Sequence, residues 1–161
     1  MADAPATGAR RALYLEDLAV GDRFTSGTHA LDAEQIKTFA QQFDPQPFHT
    51  DEEAAKATFF QGLAASGWHT AAITMRLLVD SGMPLAEGII GSGGELHWAQ
   101  PTRPDDVLHV ESEVVEIVPS RSKPGRAMVQ MHCRTLNQRG ELLQSFKPKL
   151  VVTKRPAAQP A

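Results

Sequence analysis

The sequence predicts an α+β fold in which a buried helix precedes a run of antiparallel strands. Apolar residues recur at helical spacing in the first half of the chain, as in "LDAEQIKTFAQQF" and "GWHTAAITMRLLVDS". From about residue 93, apolar and polar residues alternate instead, as in "DVLHVESEVVEIV", which is the period of a half-buried strand. One sheet packed on helices accounts for both patterns.

Three helices are predicted. The first begins after Asp32, which can cap it, and Gln35 completes a capping box. The second lies in "TDEEAAKATFF" with Thr50 as its N-cap. The third runs from Gly67 to about Ser81 and is apolar on most faces, which is typical of a buried helix.

The predicted strands follow the alternating segments. Pro148 lies within the last of them and indicates a bulge or an edge strand, because proline cannot donate to the ladder. The expected strand ranges are 23–31, 93–101, 106–118, 126–137 and 141–153.

Composition limits the class of protein. A length of 161 residues fits one domain, which we place at 13–154 between disordered tails at 1–12 and 155–161. The net charge of −3, without a long Lys/Arg cluster, argues against a nucleic-acid partner. Cys133 is the only cysteine, so an intrachain disulfide is excluded. No apolar run reaches membrane-span or signal-peptide length, and we expect a soluble cytoplasmic protein.

The stretch "FDPQPFHTD" holds the first candidate for chemistry. Asp44 and His49 lie between two predicted helices, and the prolines between them restrict the backbone. A carboxylate beside an imidazole can hold a water, take its proton and return one. The alternative is a helix-stop turn with a capping aspartate and a surface histidine. A metal site using Asp44, His49 and Asp51 would need a further ligand that the sequence does not identify.

Two further stretches carry weaker signals. In "AASGWHT", Gly67 opens the buried helix, where unpaired N–H groups could bind an anion or a developing oxyanion. The alternative is a Ser66 N-cap with Gly67 as ordinary packing, and we interpret His69 as structural. In "QPTRPDDVL", Arg103 could meet a phosphate, or the two prolines could simply stiffen a connection between strands.

These stretches occur in the order found in a known family. The sequence resembles the MaoC-like dehydratases, the family of the (R)-specific enoyl-CoA hydratases, from about Leu15 to Val152. The most specific part is the D-x-x-P-x-H segment "DPQPFH", followed by an acidic, alanine-rich helix. The glycine that opens the long helix and the later P-x-R-P-x-D segment follow at the expected distances. Two positions depart from the family, Ser66 where many members have histidine and Met75 where some hydratases have serine.

The resemblance implies a hot-dog fold, with a long central helix wrapped by an antiparallel sheet. It also implies a homodimer, or a higher oligomer, with an acyl-thioester tunnel near the subunit interface. Asp44 and His49 match the catalytic pair, and Gly67 matches the oxyanion glycine through its N–H. The residues expected to bind substrate are Phe48, Ser66, Trp68 and Arg103.

The resulting hypothesis is reversible hydration of a 2-enoyl thioester to a 3-hydroxyacyl thioester. The carrier is CoA or an acyl carrier protein, and neither a metal nor a redox cofactor is expected, since CoA enters with the substrate. Two alternatives stay open, namely a hot-dog acyl-CoA thioesterase and a non-catalytic acyl-thioester-binding subunit.

Overall fold

The structure, a computed structural model, describes residues 11–160. Among these residues, four short or medium helices precede most of a six-stranded antiparallel sheet. The helices are α1 (Ala33–Phe43), α2 (Pro47–Thr50), α3 (Glu52–Lys56) and α4 (Gly67–Leu77). The strands are β1 (Arg23–Thr25), β2 (His29–Ala30), β3 (Gly91–Trp98), β4 (Val107–Pro119), β5 (Arg126–Leu136) and β6 (Leu142–Thr153).

The sheet confirms the predicted antiparallel pairing. Its order is β1-β4-β5-β6-β3, and β2 pairs separately with β4. The predicted strand at 23–31 is divided into β1 and β2, because residues 26–28 leave the ladder. The edge strand β3 comes before β4 in sequence but pairs with β6, so it lies on the far side of the sheet. This crossover brings Trp98, at the end of β3, next to the start of α4.

The core lies between α4 and the inner face of the sheet. Alternate residues of β4 and β5 point inward, as the period-2 pattern predicts, and Cys133 is among them. Burial raises the pKa of the Cys133 thiol to about 11, so it behaves as a small apolar core residue. This core includes Ile36, Ile73, Leu77, Leu78, Leu108, Val110, Val129, Met131, Leu143 and Leu150.

The first helix begins where the sequence predicts. The Asp32 carboxylate accepts a hydrogen bond from the Gln35 N–H at 2.8 Å, which satisfies one of the free donors at the helix start. The reciprocal half of the capping box is absent, because the Gln35 side chain contacts His29 and the Ala30 carbonyl instead. The predicted cap is therefore correct, and the predicted box is only half formed.

The N-cap of the second predicted helix is wrong by one residue. Thr50 ends the single turn α2, where its hydroxyl donates to the Gln46 carbonyl. Asp51 caps α3 instead, and its Oδ1 accepts from the Glu53 and Ala54 N–H groups at 2.9 Å each. Thr50 does not cap α3 because it is the last residue of the helical turn that Pro47 initiates.

The third helix has the predicted start but not the predicted burial. Ser66 caps α4, which continues as a π-helical turn over Leu78–Gly82. One face is buried through Ile73 and Leu77. The opposite face is apolar yet exposed within the single chain, and its large residues are Trp68, Met75 and Val79. The prediction of burial on most sides is wrong for this chain alone.

Pro148 lies in β6, which is flanked by β5 and β3 and is therefore not an edge strand. Its partner is Gly94, and the irregularity predicted from proline falls on β3, as a bulge between Gly91 and Gly93. A Cβ at Gly94 would lie 2.8 Å from the Lys147 carbonyl oxygen, so glycine permits this close approach of the two backbones. The edge prediction is wrong, and the bulge occurs on the opposing strand.

The described parts of the two predicted tails, residues 11–12 and 155–160, contain no helix or strand. Residues 1–10 lie outside the described part of the chain, so the prediction of disorder there stays a prediction. Arg155, at the predicted start of the second tail, donates from its N–H to the Glu16 carboxylate and from its guanidinium to Asp17. Within residues 11–160, no helix is long and apolar enough to cross a membrane.

His69 is structural, as the sequence suggests. It is buried in the first turn of α4, and its ring stacks on Phe39 with centroids 4.5 Å apart. Its Nδ1 has no hydrogen-bond partner within the described residues. Burial, with a smaller contribution from nearby His29, lowers the pKa of His69 from about 6.5 to about 4.

This depressed pKa predicts a loss of stability in acid. Between pH 6.5 and pH 4, His69 protonates in the unfolded chain but not in the folded one. The free energy of unfolding should therefore fall as pH falls through this window, by up to about 3 kcal/mol. Replacing His69 with Phe, which retains a flat ring against Phe39, should flatten the curve measured by urea denaturation across that range.

The matched control is His97→Gln, at an exposed histidine on β3, which should retain the wild-type pH dependence. Equal slopes for wild type and His69→Phe would contradict the assignment of this acid sensitivity to His69.

Candidate active site

Asp44 and His49 face each other at the junction of α1 and α2. Asp44 follows the last residue of α1, and Pro47 starts the turn that carries His49. The distance from Asp44 Oδ2 to His49 Nε2 is 3.4 Å. His49 is only 4% exposed, so the structure contradicts the alternative of a surface histidine on a helix-stop turn.

One hydrogen bond fixes the tautomer of His49. Its Nδ1 lies 2.6 Å from the Ala64 carbonyl oxygen, which can only accept. Nδ1 therefore carries the proton and donates it, and in the neutral ring Nε2 keeps its lone pair. The basic nitrogen of His49 is consequently the one that faces Asp44.

The Asp44 carboxylate is held by two neutral donors. Gln46 Nε2 donates to Oδ1 at 2.6 Å, and the buried Ser66 hydroxyl donates to Oδ2 at 2.7 Å. Partial burial raises the pKa of Asp44, but the hydrogen bonds from Gln46 and Ser66 and the nearby His49 ring outweigh it, so the net pKa lies below its ordinary value. Asp44 is therefore an ionised acceptor at neutral pH.

Gly67 starts α4 beside this pair. Its N–H makes no hydrogen bond to any residue in the range 11–160, while the next N–H, of Trp68, is capped by Ser66 Oγ at 3.3 Å. A Cβ at this position would lie 2.5 Å from Cε2 of Trp98. Glycine is thus required by the packing of the indole, and its free N–H is a donor at the positive end of a helix.

A cavity of about 450 Å³ is lined by His49 and Gly67, while Asp44 lies behind His49 and is not part of the lining. His49 lies at one side and Gly67 at another, and most of the remaining wall is apolar or aromatic, which suits an acyl group. The residues that line it are His49, Phe59, Phe60, Ala65, Gly67, Thr70, Trp98, Ala99, Gln100, Pro101 and Thr102.

Arg103 clamps the loop that precedes α4. Its guanidinium donates to the carbonyl oxygens of Phe60 at 2.6 Å, Gly62 at 3.0 Å and Leu63 at 3.2 Å. The next carbonyl, of Ala64, is the acceptor for His49. Arg103 therefore holds the backbone that orients the histidine. Contact between Arg103 and a phosphate stays a prediction, for which its remaining N–H groups would be available.

The other predicted binding residues have different surroundings. Phe48 is half-buried, and its ring contacts His49 and Phe60 from behind without lining the cavity. Trp68 is 61% exposed and stands edge-on to Trp98, also away from the lining. Trp98 lines the cavity, and neither tryptophan is in the core.

Sequence reasoning missed several residues of this site. Gln46, between the two prolines, gave a signal in retrospect, because an amide two residues from an aspartate can reach it in a turn. Phe59 and Phe60 gave no such signal, because no local sequence pattern shows that their loop packs beside His49. Asp51, considered as a metal ligand, uses its carboxylate to cap α3.

The chain is similar to known proteins of one family. Residues 19–132 match a family model described as the MaoC-like domain. The uncharacterized protein YdeM of Bacillus subtilis is 32% identical over 128 residues, which cover 79% of this chain and 89% of YdeM. The crystal structure of a MaoC-like dehydratase from Rhodospirillum rubrum is 64% identical with a TM-score of 0.89, covering 90% of this chain and 99% of that one.

A hydratase structure is also similar. The unliganded R-hydratase PhaJ1 from Pseudomonas aeruginosa is 25% identical with a TM-score of 0.73, and the match covers 93% of this chain and 95% of that one. These structures share the hot-dog architecture seen here, a six-stranded antiparallel sheet with a central helix. The chain therefore belongs to the MaoC-like dehydratase family.

Proposed function

We propose that this protein is a hydro-lyase that reversibly adds water to a 2-enoyl thioester and yields a 3-hydroxyacyl thioester. The observation that carries the proposal is the pairing of His49 Nε2 with Asp44 Oδ2 at 3.4 Å, where His49 lines the same cavity as Gly67. CoA enters as part of the substrate. The reaction needs an acid–base pair and an oxyanion donor, and these groups supply both without a metal or a redox cofactor.

The hydrogen bonds suit His49 to act as the base and Asp44 to act as the ionised acceptor. The lone pair of His49 Nε2 takes a proton from a water molecule that the ionised Asp44 carboxylate orients. The water oxygen then forms a bond to C3, and the electron pair of the C2–C3 double bond moves toward the thioester carbonyl. The imidazolium returns the proton to C2. Asp44, whose pKa is lowered, stays ionised and stabilises the charged ring.

Gly67 is the proposed donor to the thioester oxygen. Negative charge grows on that oxygen as water attacks C3, and a helix N-terminus stabilises an anion at this place. Its N–H makes no hydrogen bond within residues 11–160, and Gly67 lines the cavity. The absence of a side chain on Gly67 lets Trp98 close the neighbouring wall.

Asp44→Asn should test the pair directly. We expect a loss of about 10²- to 10⁴-fold in kcat for crotonyl-CoA hydration, because the amide cannot stabilise the imidazolium. The measurement is the decay of enoyl-thioester absorbance. His49→Gln should lose a similar factor, since it removes the base.

The matched control is Asp51→Asn. It makes the same chemical change seven residues away at a helix cap, where asparagine also serves, and activity should be retained. Near-normal turnover by Asp44→Asn would sink the assignment. Release of free thiol without hydration would indicate a thioesterase, and neither reaction by wild type would indicate a binding subunit.

Ser66→Ala should change the pH profile. Loss of the hydroxyl donor to Oδ2 raises the Asp44 pKa, so the carboxylate protonates at higher pH. We expect the acid limb of kcat/KM to move to higher pH, with a smaller loss near pH 8. Ser66→Thr keeps a hydroxyl and should restore the wild-type limb. An acid limb that stays in place in Ser66→Ala would contradict the role of this hydrogen bond.

The exposed face of α4 supports a homodimer, which we propose as the functional unit. Trp68, Met75 and Val79 place apolar area on one side of α4, although a monomer usually covers such area. The strand β3 is an open edge with unpaired backbone groups. A second copy of this chain would cover both features at once. It would also lie close to the catalytic cavity, because Trp98 ends β3 and lines that cavity.

Val79→Lys should weaken that assembly, because a charge at a buried apolar contact is costly. The expected result is a shift from dimer to monomer in light scattering coupled to size exclusion, with Val118→Lys, at an exposed valine of β4, as the control. A monomeric wild-type protein at all concentrations would contradict the proposal.

A further inference from the structure

A second cavity lies further along α4, away from His49. Its volume is about 290 Å³, and none of the residues lining it is charged. Glycines on β3 leave room for it, where side chains would otherwise fill the space. The lining residues are Met75, Leu78, Met83, Ile89, Gly91, Gly93, Gly94, Phe146, Pro148 and Leu150. An apolar cavity of this kind suits hydrocarbon and not a polar carrier.

The same two elements form walls of both cavities. On α4, Gly67 belongs to the catalytic cavity and Met75 to the second one, about 12 Å further along the helix. On β3, Trp98 belongs to the catalytic cavity and Gly94 to the second one, about 13 Å along the strand. The two cavities therefore follow one another along α4 and β3, and on β3 Leu96 lies between Gly94 and Trp98 on the same face.

The Trp98 indole stands at the boundary. Its Nε1–H is shared between the Gly67 carbonyl and Gln144 Oε1, each at 3.0 Å. Helix carbonyls point toward the C-terminal end, so the ring lies on the side of Gly67 that faces Met75. The ring also fills the space beside the Gly67 Cα, where a Cβ would come within 2.5 Å.

A buried polar network holds the indole in this orientation. Gln144 is fully buried and donates from Nε2 to the Thr74 hydroxyl at 3.0 Å. Thr74 in turn bonds to Thr135 at 2.6 Å. Rotating Trp98 away would leave the Gln144 carbonyl without this donor in a dry site, which is costly. These hydrogen bonds favour one orientation of the indole, although Trp98 is 43% exposed.

We propose that Trp98 is the residue that sets acyl-chain length, by closing the catalytic cavity against the second apolar cavity. The substrates are then enoyl thioesters with short acyl chains, and longer chains are rejected at the indole. This inference rests on the proposed hydratase function and deepens it by naming the substrate class. The second cavity is the space that a longer chain enters once the indole is removed.

The test compares kcat/KM for four-carbon crotonyl-CoA and eight-carbon 2-octenoyl-CoA. Wild type should favour crotonyl-CoA by about 10-fold or more, since even one unfavourable methylene costs about that factor. Trp98→Ala should raise the octenoyl-to-crotonyl ratio by about 10-fold or more. Trp98→Phe keeps an aromatic barrier but lacks the N–H, and its ratio should stay near wild type if the effect is steric.

A double variant tests whether the gain with 2-octenoyl-CoA depends on the second cavity. Adding Met75→Phe to Trp98→Ala should fill that cavity and reverse most of the gain with 2-octenoyl-CoA. Met75→Phe alone should leave the ratio unchanged, because in wild type the chain does not reach this position. Val118→Ala, at an exposed residue of β4, controls for general effects of substitution.

The outcomes separate this inference from the proposed function. Wild type that does not hydrate crotonyl-CoA, 2-octenoyl-CoA or chains between them overturns the function. Wild type that hydrates both substrates equally well overturns the inference alone. Trp98→Ala that folds, hydrates crotonyl-CoA and keeps the wild-type ratio does the same, and circular dichroism with crotonyl-CoA activity distinguishes this result from misfolding.

Discussion

The hydrogen bond from the Ser66 hydroxyl to Asp44 Oδ2 is the contact on which the site depends. Ser66 is fully buried, caps α4 and precedes Gly67, so one residue couples the carboxylate to the helix start that would stabilise an oxyanion. A shift of α4 along its axis would therefore disturb the proposed acid–base pair and the proposed oxyanion donor together. This arrangement explains how two weakly connected segments, twenty-two residues apart, can act as one site.

The surrounding loop is held by backbone contacts more than by side-chain packing. Arg103 gathers the carbonyls of Phe60, Gly62 and Leu63, and the Ala65 N–H donates to the Thr102 carbonyl at 2.9 Å. Charge-assisted bonds to several carbonyls at once fix the loop path, and the Ala64 carbonyl then fixes the His49 tautomer. A cationic residue that looks suited to a substrate phosphate thus has a clear structural task in this chain.

Local patterns predict elements well where one physical signal dominates. Period-2 alternation located β4, β5 and β6 within a residue or two, and Asp32 marked the start of α1. The errors occur where two elements adjoin. Thr50 belongs to the helical turn that starts at Pro47, and the next residue, Asp51, therefore caps α3. The burial predicted for α4 is also wrong, because an apolar helix face has the same sequence pattern whether or not its own chain covers it.

For the site, the sequence by itself determined the identity and order of Asp44, His49 and Gly67, since their spacing within short segments and their order along the chain form the family signature. Only the tertiary structure decided what surrounds them. Ser66 and Gln46 lower the pKa of Asp44, the Ala64 carbonyl fixes the tautomer of His49, and Trp98 lines the cavity from a strand thirty-one residues beyond Gly67. Such contacts depend on the packing of an edge strand against the start of a helix, and no local spacing in the sequence specifies that packing.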